Sequence, residues 1–362
     1  MIIHLEKNAT KEQKDAVIER IKRKKFNYDI IHGETGIDVI TVLGDLSGVE
    51  ESYFGELDGV DKVIRISKPY KLITRTYAKD GKVLQKETHK IDLGYLVIGG
   101  KMPVIIAGPC SVESEEQVMA IAEYVSKLGI KIMRGGAYKP RTSPYSFQGM
   151  GLKGLKILAK AAKKYGLKII TEATGMHRHI DEHGRHENYN VLENVIEYAD
   201  IIQIGARNMK SYGLLQELAI LTKKTKKPIM LKRGESSTLK DFLLAAEYIV
   251  ANGNPNVMLC LRGIRTFEEE KFQRYTADIG AIPVLKRETN LPVLFDPSHA
   301  SGYRQNVFPL SLAAVAAGAD GLIIETHNDP SCALCDGEQS VTSCQLSSII
   351  NAVADMANCI RN

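Results

Sequence analysis

Residues 104–109, VIIAGP, form a short apolar run that ends in a glycine-proline turn, and this run decides the fold because its pattern recurs along the chain. A short, continuous apolar run bounded by turn residues is typical of a β-strand buried on both faces. Residues 114–128 follow it, with Ser114 and Gln117 in the pattern of a capping box and apolar residues at helical spacing. The sequence therefore predicts a strand followed by an amphipathic helix.

Seven further apolar runs follow, separated by segments with helical periodicity. They are KIMRGG (131–136), LKIITE (167–172), IIQIGAR (201–207), PIMLKRG (228–234), VMLCLRG (257–263), LPVLFDPSH (291–299) and GLIIE (321–325). Eight strand-helix units in about 260 residues predict a (β/α)₈ TIM barrel over 101–362, because such barrels usually have about 250 residues. An open, doubly wound sheet is the alternative, although such sheets have eight strands less often.

The first 67 residues have a different order of elements. Strand-like and helix-like segments alternate there as βαββαβ, which is the pattern of a ferredoxin-like unit. Pro69 ends this pattern, and residues 68–100 are predicted to be a linker and a hairpin. The hairpin turn is Asp80-Gly81, a preferred pair for a two-residue turn. We expect this hairpin to be a connector or a plug at the entrance to the barrel.

The composition excludes several classes of protein. The chain has 362 residues, of which 44% are hydrophobic and 25% charged, and its net charge of +5 is too small to favour nucleic acid as a partner. No apolar run is long enough to span a membrane, and the amino terminus does not have the pattern of a signal peptide. We therefore expect a cytoplasmic protein whose six cysteines are reduced thiols.

Basic side chains follow several of the predicted barrel strands. A single one would be explained by a solvated strand end, but in a barrel the carboxyl ends of all strands meet at the face that holds the active site. Like charges repel in a cleft of low dielectric, and arginine binds phosphate and carboxylate through two N–H donors. The set therefore predicts an anionic, phosphorylated pair of substrates. It comprises Arg134, Lys139, Arg141, Arg207, Lys232, Arg233 and Arg262.

A second set of strand-end residues has the chemistry of a metal site. Cys110 follows the first run, His299 ends the seventh, Glu325 ends the eighth, and Asp336 lies eleven residues further on. In a closed barrel the eighth strand neighbours the first, so these residues converge. One thiolate, one imidazole and two carboxylates suit a borderline divalent ion such as Mn²⁺, Fe²⁺, Co²⁺ or Zn²⁺. Taken alone, Cys110 would be read as a buried hydrophobic residue and Asp336 as the start of a turn.

Two other groups compete for a metal role. The segment MHRHIDEHGRHE carries four histidines between His177 and His186, but it is polar throughout, and we interpret it as a solvated loop. Cys332 and Cys335 have a CxxC spacing, and Cys344 and Cys359 follow too far apart for an ordinary four-cysteine zinc site. We interpret these four as thiols buried by helices, and Cys260, inside the sixth run, as a core residue.

Several motifs taken together resemble one family. AGPCSVES (107–114), RGGAYKPRTSP (134–144), IGARNM (204–209), LKRGESST (231–238), LRGIRTF (261–267), FDPSHASG (295–302), IIETHNDP (323–330) and DGEQS (336–340) are similar to 3-deoxy-D-arabino-heptulosonate-7-phosphate (DAHP) synthase. The resemblance covers about 100–360. The amino-terminal unit resembles the regulatory extension of some members of the beta subclass.

The resemblance implies an activity and a role for each matching position. DAHP synthases condense phosphoenolpyruvate with erythrose 4-phosphate and release phosphate, which is the first step of the shikimate pathway to the aromatic amino acids. The implied metal ligands are Cys110, His299, Glu325 and Asp336; the implied phosphoenolpyruvate contacts are Arg134, Lys139, Arg207, Lys232 and Arg262; the implied erythrose 4-phosphate contacts are Arg141, Thr142 and Asp296. The implied catalytic residues are Lys139, His299 and Asp296, and for the proton transfer Lys139, His299 and a water on the metal remain alternatives.

The resemblance also implies regulation and leaves rival functions to be tested. A ferredoxin-like domain over residues 1–67 implies feedback inhibition by tyrosine or phenylalanine, and the family is usually a homotetramer. The KPRT motif (139–142) argues against the sister enzyme that uses arabinose 5-phosphate, whose loop contains asparagine. A related condensing enzyme with another aldose phosphate, and a regulator built on an inactive barrel, are the rival hypotheses. Cys332 and Cys335 beside a metal ligand depart from the family pattern and raise the hypothesis that the site is sensitive to oxidation.

Overall fold

The computed structural model describes the chain except residues 33–36, 45, 47, 66–68, 80–81, 141–142, 144, 176, 181–185, 190, 268–270 and 362. The chain divides into two compact units, Met1–Gln85 and Lys86–Asn362. Among the helices of the described residues, none combines the length and the apolarity needed to cross a bilayer.

The first unit contains a four-stranded antiparallel sheet. Its elements are β1 (Ile2–Leu5), α1 (Lys11–Arg23), β2 (Asn27–His32), β3 (Asp38–Leu43), α2 (Ser52–Gly55) and β4 (Val60–Ile64), and the strand order is β2-β3-β1-β4. Thr10 caps α1, and Ile21 and Phe54 pack with Ile3 in the core. This confirms the ferredoxin-like prediction, although the second helix has only four residues.

Two short hairpins, rather than one, follow the sheet. β5 (Thr76–Lys79) pairs with β6 (Lys82–Gln85) in the first unit, and the predicted turn Asp80-Gly81 lies outside the described residues. β7 (Ile91–Asp92) pairs with β8 (Val97–Ile98) in the second unit. Ile91 and Ile98 are completely buried against Val104 and Ile132, which begin barrel strands. The second hairpin therefore closes the amino-terminal end of the barrel.

The second unit is a closed barrel of eight parallel strands, as the recurring runs predicted. The strands are β9 (Val104–Gly108), β10 (Ile132–Arg134), β11 (Lys168–Ala173), β14 (Ile201–Ile204), β15 (Ile229–Lys232), β16 (Val257–Leu261), β17 (Val293–Phe295) and β18 (Gly321–Glu325). Nearly all of their residues are buried, because side chains from one face fill the barrel and those from the other face pack against helices. Cys260 is fully buried in β16, as predicted.

Helices connect the barrel strands. They are α3 (Glu115–Lys127), α4 (Gly151–Tyr165), α5 (Val191–Tyr198), α6 (Tyr212–Leu221), α7 (Leu239–Ala251), α8 (Ala281–Glu288), α9 (Pro297–Ser301), α10 (Arg304–Ala316) and α11 (Ser343–Arg361). Ser114 accepts a hydrogen bond from the backbone N–H of Gln117 and so begins α3 as predicted. In the histidine-rich segment, β12 (His177–Ile180) pairs with β13 (His186–Tyr189). The prediction of a loop is therefore wrong for those residues. The two strands of this hairpin are polar, so they show no apolar periodicity from which they could be predicted.

The barrel closes where β18 pairs with β9. Five residue pairs run from Gly321 opposite Val104 to Glu325 opposite Gly108. A Cβ atom at Gly108 would lie 2.1 Å from the carbonyl oxygen of Arg134, so only glycine fits where β9 and β10 approach. The glycine of the first apolar run is thus required by the close approach of β9 to β10.

We predict that Gly108→Ala lowers the free energy of unfolding by more than about 2 kcal/mol, because the contacted atom is backbone and cannot move aside cheaply. Gly213→Ala is the matched control, since its Cβ would meet nothing within 4 Å and alanine favours a helix by up to about 1 kcal/mol. Thermal unfolding followed by circular dichroism measures both. Equal midpoints for the two variants would contradict the steric argument.

Candidate active site and metal centre

Four predicted residues lie together at the carboxyl ends of three neighbouring strands. Cys110 is the second residue after β9, and Glu325 is the last residue of β18, directly opposite Gly108. His299 lies in α9, which begins immediately after β17, and Asp336 lies in the segment that follows β18. Barrel closure therefore assembles residues that are up to 226 positions apart.

Their donor atoms form two overlapping groups. Cys110, Cys335 and Asp336 form one group, His299, Glu325 and Asp336 form the other, and within each group the candidate ligand atoms lie within 4.8 Å of one another. Cys110 Sγ lies 3.2 Å from Asp336 Oδ2, and His299 Nε2 lies 3.4 Å from Glu325 Oε1. Asp336 belongs to both groups and so joins them.

Asp296 orients His299. Its side chain caps α9 by accepting the backbone N–H of His299 at 2.9 Å, and its Oδ2 lies 2.7 Å from His299 Nδ1. A carboxylate only accepts, so Nδ1 carries the proton and the lone pair of Nε2 points towards Glu325. Burial lowers the pKa of His299, and the neighbouring carboxylates of Asp296 and Glu325 oppose this only in part. The imidazole is therefore neutral at pH 7, as a metal ligand must be.

Glu325 is completely buried among charged neighbours. Its Oε1 lies 2.9 Å from Arg134 Nη1, but among the described residues no donor reaches that oxygen with hydrogen-bond geometry. Burial alone would raise the pKa of Glu325, but His299 and Arg134 outweigh it and hold the pKa below its usual value. A buried, ionised oxygen without a hydrogen bond beside a neutral imidazole fits a cation, so the donor set suits a divalent metal.

Cys335 lies beside Cys110, with their sulfurs 2.7 Å apart. Lys139 Nζ approaches Cys110 Sγ to 3.1 Å from the other side. The hydrogen bond with Cys335, and then burial, raises the pKa of Cys110 well above its usual value, whereas the same bond lowers the pKa of Cys335. A cation that binds at these sulfurs would displace the protons of the thiols.

The interpretation of the four cysteines nearest the carboxyl terminus as thiols buried by helices is wrong. Cys332, Cys344 and Cys359 are exposed, and only Cys335 is buried, in a turn rather than under a helix. Its position next to Asp336 was the sequence feature that could have identified Cys335 as a residue of the site. The direction of its side chain depends on the left-handed backbone of Asp336 (φ 52°), which sequence patterns do not reveal.

A cleft next to the donor groups is lined by cations. Its charged lining residues in the described part of the chain are Arg134, Lys139, Arg207, Lys232, Arg262, Arg274, Glu172 and Asp336, and His299 also lines it. Five of the six cations were predicted; Arg274 was not, because it follows no strand. The cleft is positive, and it suits two anionic substrates.

Several of these cations already contact carboxylates. Lys232 forms a buried ion pair with Asp296, and Arg262 lies 3.2 Å from Glu235. Arg233, which belonged to the predicted basic set, pairs with Asp278 at 2.7 Å and is not among the described lining residues. Acidic partners distant in sequence thus position the cations without neutralising the whole cleft.

Three predicted positions remain, of which the structure describes one. Asp296 is completely buried and is not one of the described residues that line the cleft. Burial alone would raise its pKa, but His299 and Lys232 hold it well below the usual value. Arg141 and Thr142 lie outside the described residues.

A closed parallel barrel with ionisable side chains gathered at the carboxyl ends of its strands is the architecture of TIM-barrel enzymes. The chain belongs to the DAHP synthetase I family: the model of that family matches residues 83–362, and the DAHP synthase ferredoxin-like domain matches residues 1–68. The chain is therefore an enzyme of this family, as the motifs predicted.

Three known proteins show the extent of the similarity. Phospho-2-dehydro-3-deoxyheptonate aldolase of Thermotoga maritima is 46% identical over 341 residues, which are 94% of this chain and 93% of that protein. A crystal structure of phospho-2-dehydro-3-deoxyheptonate aldolase (DAHP synthase) from Thermotoga maritima has a TM-score of 0.73 and 43% identity, and the match covers 99% of this chain and 98% of that one. The 2-dehydro-3-deoxyphosphooctonate aldolase of Geobacter metallireducens is 33% identical over 273 residues, which are 70% of this chain and 92% of that protein.

We predict that Lys232→Met lowers the free energy of unfolding by about 3 kcal/mol, because it leaves the buried carboxylate of Asp296 without its ammonium partner. Lys210→Met is the matched control: Lys210 pairs with Asp241 at 3.0 Å, but Lys210 is exposed and Asp241 is only partly buried, and such pairs contribute little. Thermal unfolding of the two variants without substrate is the measurement. A loss as small as that of the control would contradict the role assigned to Lys232.

Proposed function

We propose that this enzyme condenses phosphoenolpyruvate with erythrose 4-phosphate to give DAHP and inorganic phosphate. Membership of the family supports this activity, and so does the Thermotoga maritima relative. The observation that carries it is the cleft itself, in which cations for two phosphorylated substrates adjoin a Cys-His-Glu-Asp donor set. The reaction consumes one water molecule and is the first step of the shikimate pathway.

Five cations hold phosphoenolpyruvate in this proposal. Arginine forks bind carboxylate and phosphate in fixed orientations, while the lysines supply compact positive charge. Three of them, Arg134, Lys232 and Arg262, lie beside carboxylates that fix them before the substrate arrives, which reduces the cost of ordering them. The residues are Arg134, Lys139, Arg207, Lys232 and Arg262.

Cys110, His299, Glu325 and Asp336 hold the divalent metal in this proposal. Mn²⁺, Fe²⁺, Co²⁺ and Zn²⁺ all suit a set with one thiolate, one imidazole and two carboxylates. When bound, such an ion supplies Lewis-acid chemistry, which polarises the aldehyde oxygen of erythrose 4-phosphate.

The reaction then requires positioning and proton transfer. C3 of phosphoenolpyruvate attacks the aldehyde carbon, and the cations that hold both phosphates bring the two carbons together. Lys139 donates a proton to the oxygen that was the aldehyde. Burial alone would lower the pKa of Lys139, but the sulfurs of Cys110 and Cys335 outweigh it, so the ammonium is protonated and serves as an acid. Positive charge develops at C2, where water adds and gives a proton back to the Lys139 amine. The resulting phosphohemiketal breaks its C2–O bond to phosphate, its hydroxyl proton leaves with the phosphate, and C2 becomes the ketone carbon of DAHP.

Erythrose 4-phosphate is held by Arg141 and Thr142, whose identities in the KPRT motif support this choice. Asp296 was predicted to lie near the same substrate. Its burial and its contacts with Lys232 and His299 favour a positioning role, in which it fixes one cation and one metal ligand on either side of the aldehyde.

The amino-terminal domain regulates the enzyme in this proposal. The match of the DAHP synthase ferredoxin-like domain to residues 1–68 supports a regulatory unit, which we assign to residues 1–67, with a linker and hairpin at 68–100 and the catalytic barrel at 101–362. Tyrosine or phenylalanine is the proposed effector, and a homotetramer in the cytoplasm is the proposed state.

The function is tested by measuring inorganic phosphate. We expect phosphate release only when phosphoenolpyruvate and erythrose 4-phosphate are both present, loss of release with EDTA, and its return with Mn²⁺. Arabinose 5-phosphate, the aldehyde of the sister reaction, is the control substrate. A higher kcat/KM for arabinose 5-phosphate, or no release with metal supplied, would refute the proposed reaction.

Deletion of residues 1–67 tests regulation. We expect the barrel to keep its activity, because it forms a compact unit with its own core, and to lose inhibition by tyrosine or phenylalanine. The measurement is phosphate release against effector concentration for the full chain and the deletion. Unchanged inhibition would show that the domain only stabilises or oligomerises the enzyme.

A further inference from the structure

We infer that Cys335 is a second thiolate ligand of the metal site, so that this enzyme binds a softer ion, such as Zn²⁺, more tightly than a site with one thiolate does. The inference rests on the proposed metal site and adds to it a residue of this chain. It concerns which ion the site selects, whereas the proposed function concerns which reaction the site performs.

The first argument is position. Cys335 is buried, and its sulfur lies 2.7 Å from Cys110 Sγ, in the group that also contains Asp336. Neighbouring side chains in an extended segment point to opposite sides, so one would expect only one of two consecutive residues to face the site. The left-handed backbone of Asp336 (φ 52°, ψ 36°) changes this direction. Left-handed backbone is uncommon outside glycine, and here it turns two consecutive donors towards Cys110.

The second argument is the distance between the sulfurs. Two thiolates on one tetrahedral zinc ion, with Zn–S bonds of about 2.3 Å, lie about 3.8 Å apart. Cys110 and Cys335 are closer than that, so they separate by about 1 Å when they bind the same ion. Cys335 belongs to a turn in which Cys332 and Leu334 are exposed and Ala333 is half-buried. A small adjustment of this turn is therefore not resisted by a packed core.

The third argument is charge. A second thiolate adds a negative charge to a site that already has one thiolate and two carboxylates. Three cations contact these donors: Lys139 lies 3.1 Å from Cys110 Sγ, Arg134 lies 2.9 Å from Glu325, and Arg274 lies 3.4 Å from Asp336. Together with a divalent ion they offset the added charge. Softer ions prefer thiolate over carboxylate, so the second sulfur shifts the selectivity towards them and away from Mn²⁺.

The same two sulfurs can also be joined by oxidation. Hydrogen peroxide would take two electrons from the two thiols, form one S–S bond and release two water molecules. A disulfide removes both ligands at once, so the measurement of metal ligation requires a reducing agent that does not bind metal strongly.

Cobalt substitution of the reduced enzyme counts the thiolates. The near-ultraviolet charge-transfer band of thiolate-bound Co²⁺ grows with the number of Co–S bonds, and Cys335→Ser, Cys110→Ser, their double variant and wild type form one series. We expect wild type to absorb about twice as strongly per bound ion as either single variant, and the double variant not to absorb. Equal bands for wild type and Cys335→Ser would overturn the inference.

Metal competition provides a second measurement. We expect Cys335→Ser to bind Zn²⁺ at least about tenfold more weakly, since even residues outside the ligand shell change affinity by this much, while its affinity for Mn²⁺ changes less. Cys332→Ser is the matched control, because Cys332 is exposed and only three residues away. Equal losses of Zn²⁺ and Mn²⁺ affinity in Cys335→Ser would contradict a role for the sulfur.

X-ray absorption at the zinc edge of the wild-type enzyme requires no variant, and two sulfur scatterers at about 2.3 Å are expected. One sulfur would overturn the inference even if a variant failed to fold. Two sulfurs without phosphate release would refute the proposed reaction and keep Cys335 as a ligand. One sulfur with normal phosphate release would refute Cys335 as a ligand and keep the proposed reaction.

Discussion

The pairing of β18 with β9 is the constraint on which the site depends. It sets Glu325 opposite Gly108, and Gly108 is two residues before Cys110. It also joins the first strand of the barrel to the last. Contacts so distant in sequence form late, because the chain must lose the entropy of closing a long loop before they contribute stability. The donor groups therefore exist only in the closed barrel, and Gly108 matters because no larger residue permits the approach of β9 to β10.

Asp296 connects the cationic cleft with the donor groups. A carboxylate without exposed atoms is costly to bury unless it is paired, and Asp296 is paired twice, with Lys232 and with His299. The first contact fixes a cation of the cleft, and the second fixes the tautomer of a proposed metal ligand. One buried charge thus holds the two halves of the site at a defined separation, and this explains why the residue is buried although it belongs to the site.

The sequence contained enough to predict the barrel, because strands buried on both faces appear as apolar runs that local composition reveals. The ferredoxin-like unit was predictable from the βαββαβ order of its elements. Cys110 and Glu325 were predictable since both follow such runs. The sequence placed Cys335 next to Asp336 but could not show that its sulfur reaches Cys110, and it did not indicate Arg274 at all, because both residues lie in irregular segments whose direction depends on backbone angles and distant contacts. The hairpin that contains His177 was missed because its strands are polar and short.

Glu325 lies between the cationic cleft and the donor groups, an arrangement that no single motif shows. Its carboxylate contacts Arg134 on the side of the cleft and faces His299 on the side of the donor cluster. The Glu325 carboxylate interacts with both neighbours. Positive charge placed beside His299 therefore weakens the attraction of Glu325 for Arg134. The Arg134 guanidinium then interacts more strongly with an anion in the cleft. By linkage, an anion held by Arg134 leaves Glu325 more available to a cation, so each ligand favours the other. The buried ion pair of Glu325 with Arg134 is thus the contact that would couple the proposed metal and substrate sites.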